Sequence, residues 1–286
     1  MTIKEALALA VKQLAPISGT PDLDAEILLA ETLAARREYL LAHADEVLSS
    51  TQESAFISFL EQRITGKPIA YILGMKEFYG RTFIVNEHVL VPRPETELLI
   101  DEVLHYCNEN GMSTPSILDI GTGSGCIACT LKMELPDADV TATDISGDAL
   151  SVARLNADQL DVGISFYEGD LFAALPDILN GTFDIVVSNP PYLPLSATVS
   201  QEKDSRALVY EPSAALTPGE EDFDIINRIV RDARDWLTNE GLLFVEIGDT
   251  QGSVALETAQ HYFSNHTIEV KKDLAGLDRL LVIKPE

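Results

Sequence analysis

From Ser116 onward, short apolar runs alternate with stretches of helical periodicity, and that alternation constrains the fold more than any other feature. The runs at 116–120, 139–143, 164–167, 183–188 and 242–247 read as strands, with late strands near 267–270 and 280–283. Helical patterns over 127–135, 148–160, 223–237 and 252–262 fill most of the gaps. Strands buried on both faces read as continuous apolar runs, and helices between them supply the crossovers that parallel pairing needs. The expected architecture is a mostly parallel, doubly wound α/β sheet. Ligands in such sheets bind outside the carboxyl ends of the strands, so the residues that end each run are the candidates for a site.

The first run ends in Asp119-Ile120-Gly121-Thr122-Gly123-Ser124-Gly125. Glycines at alternate positions let the backbone turn sharply and approach a ligand closely. The dinucleotide fingerprint wants its third glycine three residues after the second, where Cys126 stands, so that motif does not apply. Asp144 ends the second run, where an ionised carboxylate can accept from both hydroxyls of a ribose. Asp170-Leu171 follows the third run, offering an acceptor for an exocyclic amino group and an apolar cover for a planar ring. The fourth run ends in Ser188-Asn189-Pro190-Pro191-Tyr192. Two prolines cannot continue a ladder, so the strand stops and leaves an amide, a rigid turn and an aromatic ring at the sheet edge. Asn189 is no base at neutral pH, but its oxygen can accept one N–H of a planar –NH₂ group. The Pro190 carbonyl can accept the other, with Tyr192 against the face of the group.

Composition excludes several classes. Asp+Glu number 46 against 20 Lys+Arg, a net charge of −26. Up to residue 80 there are 7 basic and 11 acidic side chains, and beyond it 13 and 35, so the acidity sits in the later part. A field of that sign opposes stable binding to nucleic acid, which depends on cations neutralising phosphates. Three cysteines suggest no disulfide framework; Cys126-x-x-Cys129 follows the glycine loop, where small residues pack a helix on a sheet. The five histidines form no ligand pattern, so no metal is expected. No signal peptide or membrane span is legible, and a cytoplasmic monomer is expected.

The first 74 residues carry a different pattern. Ile3, Leu7, Val11 and Leu14 form one helical stripe, Thr20-Pro21-Asp22 caps and starts a second helix, and Phe56, Leu60 and Ile64 mark another that ends near Gly66. Residues 1–74 are therefore expected to be a helical recognition domain. Phe83 and Val85, then Val89 and Val91, alternate about Asn86-Glu87-His88, so 75–93 reads as a hairpin linker. Thr96 or Glu95 is expected to open a helix through Asn110, beginning the larger domain, 94–286.

The glycine loop resembles the one that holds S-adenosylmethionine in Rossmann-like class I methyltransferases. On that scaffold, Asn-Pro-Pro-Tyr occurs in adenine-N6 DNA methyltransferases and in glutamine-N5 protein methyltransferases. Pro68-Ile-Ala-Tyr-Ile-Leu-Gly74, Lys76-Glu-Phe-Tyr-Gly80, Val91-Pro-Arg-Pro-Glu-Thr-Glu97, Tyr210-Glu-Pro-Ser-Ala-Ala-Leu216 and Asp273-Leu-Ala-Gly-Leu-Asp-Arg279 closely resemble the peptide chain release factor glutamine methyltransferases. The likeness spans both domains. It implies a Rossmann-like methyltransferase domain with a small N-terminal helical domain, and S-adenosylmethionine held by Gly121, Thr122, Gly123, Ser124, Gly125, Asp144, Asp170, Leu171 and Asn189, leaving as S-adenosylhomocysteine. It implies as substrate the Gly-Gly-Gln glutamine of class I release factors, held by Asn189, Pro190, Pro191 and Tyr192. Leu171 departs from members that carry tryptophan there, and the acidic stretch 219–224 is unusual.

Overall fold

The computed structural model describes residues 1–193, 204–217 and 223–286; of the acidic stretch 219–224, residues 219–222 lie outside them. The chain divides into two compact units.

The first unit holds residues 1–75 together with the described segment 204–211. Its helices are α1 (Ile3–Leu14), α2 (Pro21–Thr32), α3 (Arg37–Ala42), α4 (Ser50–Ile64) and α5 (Ile69–Leu73). Thr2 and Glu5 form a reciprocal capping box at the start of α1, and Ser49 and Gln52 repeat it at α4. Ile3, Ala6, Ala10 and Leu14 pack with Leu28, Leu29, Phe56 and Leu60. Between α2 and α4, Arg63 Nε donates to Asp24 Oδ2 at 2.8 Å in a largely buried pair. The expected Thr20 cap is a correction. Helix α2 does begin at Pro21, but the Thr20 hydroxyl makes no cap bond and turns instead to Asp24 Oδ1 at 3.4 Å. In the described part of 204–211, the Tyr210 hydroxyl donates to the Thr65 carbonyl at 3.0 Å and lies 2.7 Å from Thr65 Oγ1.

The second unit begins at Lys76, within the first strand of a two-stranded hairpin, β1 (Met75–Phe78) and β2 (Arg81–Ile84). Its turn is Tyr79-Gly80, not Asn86-Glu87-His88 as the apolar alternation suggested. Tyr79 and Gly80 have φ of 50° and 68°, positive values at both central positions, as a type I′ hairpin turn requires. Asn86 does make a turn, its Oδ1 accepting from His88 N at 3.0 Å, but Val85, Val89 and Val91 are buried with no ladder. The next helix begins where expected: after a 3₁₀ turn at Pro94–Thr96, Thr96 stands at the N-cap position of α6 (Glu97–Glu109) without a side-chain cap bond, and Asn110 stands at its C-cap.

Then come β3 (Ser116–Ile120), α7 (Cys126–Glu134), β4 (Asp139–Asp144), α8 (Gly147–Gln159), β5 (Ser165–Glu168), β6 (Phe183–Ser188) and the single turn α9 (Ser213–Leu216). The unit closes with α10 (Asp224–Trp236), β7 (Leu237–Glu246), α11 (Gly252–Tyr262), β8 (His266–Lys272) and β9 (Asp278–Pro285). Seven strands form one sheet in the order β5-β4-β3-β6-β7-β9-β8. The first five are parallel, and β9 is antiparallel to both of its neighbours. Neighbouring side chains on each strand go to opposite faces, and both faces are apolar. Ile117, Ile185 and Val187 pack under α6 and α7 on one side, while Leu118, Val186 and Leu243 pack under α10 and α11 on the other. Cys126 and Cys129 are buried in the first of these cores as small packing residues. Burial pushes the Cys126 thiol up to about 12.

The strand order reverses between β3 and β6. Their carboxyl ends are in register, Ile120 opposite Ser188, and Ile120 also faces Thr143 of β4. A crevice at a reversal of this kind is where open α/β sheets take ligands.

Candidate active site

The backbone after β3 folds back on the end of β4. Gly121 and Gly123 have φ of 72° and 55°, a conformation that costs an L side chain roughly 1–2 kcal/mol. The amides of Gly121 and Thr122 both donate to Thr143 O at 2.9 Å, and Gly123 N donates to Asp144 Oδ2 at 2.8 Å. Asp144 Oδ1 accepts from Ser146 N at 2.9 Å, so the aspartate that ends β4 braces the loop with one oxygen and the start of α8 with the other. Burial raises its pKa, and the Ser146 and Gly123 amides oppose that rise. From α8, fully buried Asn156 reaches back to the same loop: its Nδ2 donates to Ser124 O at 2.8 Å. It also pairs with both polar groups of Ile84 on β2, at 2.7 and 3.0 Å. Under the loop, Asp119 Oδ2 accepts from the Thr122 hydroxyl at 2.6 Å, and complete burial pushes this carboxyl up to about 7.

These elements enclose a cavity of about 460 Å³, lined mainly by apolar atoms. Gly121, Thr122, Gly123, Ser124, Asp144, Asp170, Leu171, Asn189 and Pro191 all border it. Gly125 stands one step back, at the start of α7, where a side chain would meet Ala153 Cβ at 3.1 Å. Asp170 is held by Arg228 of α10, with Nη2 2.6 Å from its Oδ2, and Leu171 packs on the core beneath. A nucleoside-sized cofactor fits this space on three counts. The volume lies in the usual range for such sites. The walls are apolar, as a purine requires. The carboxylates and loop stand at three successive strand ends.

Asn189, at the end of β6, borders both this cavity and a smaller hollow of about 40 Å³. Pro190, Pro191 and Tyr192 line that hollow. Asn189 Nδ2 donates to Thr96 Oγ1 at 3.0 Å, which leaves Oδ1 for a ligand. Tyr192 is pinned at its far end, its hydroxyl donating to Glu246 Oε1 at 2.9 Å. Glu246 is 1% exposed; burial raises its pKa, and Oε2 has no hydrogen-bond partner among the described residues. Sequence reasoning did not find Thr96, Asn156, Arg228 or Glu246 as site residues. Glu246 did carry a signal, an acid inside the apolar run 242–247.

Two family models match the chain. Residues 5–74 match the PrmC N-terminal domain, and residues 95–221 match the methyltransferase small domain. The chain is similar to the release factor glutamine methyltransferase of Coxiella burnetii, at 36% identity over 99% of each protein. It is 37% identical to that of Koribacter versatilis, over 99% of this chain and 98% of the other. Among solved structures, a 16S rRNA N2 methyltransferase of T. thermophilus in complex with AdoMet and guanosine shares the fold. That match has a TM-score of 0.54 and 16% identity over 74% of this chain and 50% of that one. Likeness at 16% speaks for the fold alone, whereas 36–37% identity along nearly the whole length places the chain in the release factor glutamine methyltransferase family.

Proposed function

We propose that the protein methylates the side-chain amide nitrogen (N5) of the glutamine in the Gly-Gly-Gln motif of class I peptide chain release factors, with Asn189 as the residue that holds the amide. The observation that carries this reading is the placement of Asn189 between the large cavity and the small hollow. Its nitrogen is engaged by Thr96 and its oxygen is available. In its bound state S-adenosylmethionine supplies an electrophilic sulfonium methyl and leaves as S-adenosylhomocysteine. The backbone of 121–124 and Asp144 would hold its amino-acid and ribose parts, and Asp170 and Leu171 its adenine.

An amide nitrogen is a poor nucleophile because its lone pair is delocalised into the carbonyl. Asn189 Oδ1 and the Pro190 carbonyl accept its two N–H groups, so the lone pair is turned toward the methyl donor as the nitrogen pyramidalises. The same acceptors stabilise the positive charge that develops on nitrogen. Orientation of two bound reactants contributes several kcal/mol of the order of about 7 in favourable cases. Once methylated, the nitrogen loses its proton to water. Tyr192, braced by Glu246, keeps the wall of the hollow rigid. The helical unit docks the release factor, a role that rests on the family resemblance; a cytoplasmic monomer is the working state in this reading.

Mass spectrometry of a class I release factor incubated with the protein and S-adenosylmethionine tests the proposal. One added methyl on the Gly-Gly-Gln glutamine, lost with Asn189→Ala, is the expected result. Methyl transfer to adenine in DNA or RNA, with none to the release factor, would overturn it.

A further inference from the structure

An aspartate at the start of a helical turn ordinarily directs its carboxylate to that turn's own amides. Asp170 stands at the N-cap of the 3₁₀ turn Leu171–Ala174 and makes no such bond. We propose that Arg228 is a positioning residue that sets which purine the site accepts: by holding Oδ2 of Asp170, it fixes Oδ1 toward the 6-amino group of the cofactor's base and so selects a 6-amino over a 6-oxo purine. The inference rests on the adenine role given to Asp170 above.

The backbone at Asp170 is set from both sides. Before it, Gly169 N donates to Asp144 O at 2.9 Å, and a side chain at Gly169 would meet Ala174 Cα at 2.9 Å. After it, Leu171 has a left-handed φ of 51°, so the turn opens outside the helical geometry that a cap bond needs. The carboxylate is half-exposed, and no cap bond orients it. Arg228 does: its Nη2 lies 2.6 Å from Oδ2, and both side chains border the cofactor cavity. Helix α10 can hold the guanidinium there because its opposite face is anchored. Ile226, Ile229, Val230 and Ala233 are buried in the core, and Trp236 stacks on Phe172 of the turn itself, ring centroids 5.9 Å apart. Ile225, three residues before Arg228, borders the cavity too, so this face of α10 is turned to it. With Oδ2 engaged, Oδ1 is the acceptor left, and an ionised carboxylate only accepts. Adenine offers it an N–H of the 6-amino group. Hypoxanthine sets a carbonyl oxygen in that place, which a fixed carboxylate repels. A carboxylate free to rotate would swing into water and escape the repulsion. The guanidinium, and not the acid alone, therefore makes the discrimination strict.

Calorimetric titration of the full chain with S-adenosylhomocysteine and with its inosine analogue, S-inosylhomocysteine, tests this. The wild type should prefer the adenine form by about 100-fold, the difference a charged hydrogen bond makes. Arg228→Met keeps the stem of the side chain and removes the cation. It should raise the Kd for S-adenosylhomocysteine about threefold, because Asp170 must now be ordered on binding, and lower the preference about tenfold. A single hydrogen bond joins the pair, so Arg228→Lys should bring the preference back to within about threefold of wild type. A purely structural disturbance of α10 would weaken both ligands alike and leave their ratio where it was. If Arg228→Met does not fold, Arg228→Gln must show the same fall in preference. A wild-type ratio in the Met or Gln variant, or no recovery with lysine, would overturn the inference. Asp170→Asn separates it from the reading beneath it, since an amide can serve either base and should abolish the preference. Preference lost in Asp170→Asn but kept without Arg228 defeats only this inference, whereas wild-type preference in Asp170→Asn defeats the adenine role of Asp170 itself.

Discussion

Replacing Asn156 by Ala should destabilise the second unit and loosen the cofactor loop together. The side chain is fully buried on α8 and makes three bonds to backbone: Oδ1 accepts from Ile84 N at 2.7 Å, and Nδ2 donates to Ile84 O at 3.0 Å and Ser124 O at 2.8 Å. Truncation leaves one N–H and two carbonyls without partners. Each buried orphan costs about 1–3 kcal/mol, and relaxation of the β2 edge toward water recovers part of it, so about 3–5 kcal/mol is expected. At about 2–4 °C per kcal/mol for a unit of this size, Tm falls by roughly 6–20 °C. Urea unfolding followed by tryptophan fluorescence reads this unit alone, because Trp236 is the single tryptophan and lies buried against Phe172. The midpoint should drop with the slope unchanged. Calorimetric titration with S-adenosylmethionine should show affinity reduced about tenfold, since one lost hydrogen bond at Ser124 O is worth about 1–1.5 kcal/mol. Asn156→Asp is the sharper control. It keeps the acceptor for Ile84 N but sets a carboxylate against two carbonyls, so it should be no more stable than Asn156→Ala. An Asp variant as stable as wild type, or an Ala variant losing less than about 1 kcal/mol, would refute the reasoning.

Asp119 gives a pH dependence. Its folded-state pKa is raised by burial from 3.8 to about 7, so the fold favours the protonated form, and the stability it contributes is present below pH 3.8 and lost as pH rises through about 7. Asp119→Asn should flatten the fall of the urea midpoint between pH 4 and 7, although Asp144 and Glu246, raised in the same direction, keep some slope. Parallel profiles for variant and wild type would count against it. In the helical unit, Arg63→Met strips the partner from largely buried Asp24 and the donors from Gly66 O and Lys67 O, both at 3.2 Å. A loss of about 3 kcal/mol or more is expected, read by circular dichroism on urea unfolding.

The strands of the sheet were legible because parallel strands buried on both faces read as unbroken apolar runs, and the site's outline followed from what ends each run. The loop at 121–125, Asp144, Asp170 and Asn189 gather at the strand ends for that reason. The hairpin was misplaced because Tyr79-Gly80 lacks the Asn-Gly or Asp-Gly signature. The strain at Tyr79 is held instead by distant partners, with Glu97 Oε1 accepting from its amide at 2.8 Å and Asp101 from its hydroxyl at 2.8 Å. Thr96 and Glu246 escaped notice for a similar reason. Their meaning lies in contacts 93 and 54 residues away in the chain, which no local pattern encodes.

The helical unit is assembled from two separated pieces of chain, residues 1–75 and the segment ending at 211, and the Tyr210–Thr65 bond joins them across 145 residues. During synthesis the first piece emerges long before the second exists. Closing so long a flexible loop is entropically unfavourable, and the cost rises only slowly with length, about 0.6 kcal/mol per doubling. Residues 76–195 between the two pieces belong to the second unit, so the helical unit is completed only by chain made after them. A fragment cut at residue 75 therefore lacks one of the unit's own parts.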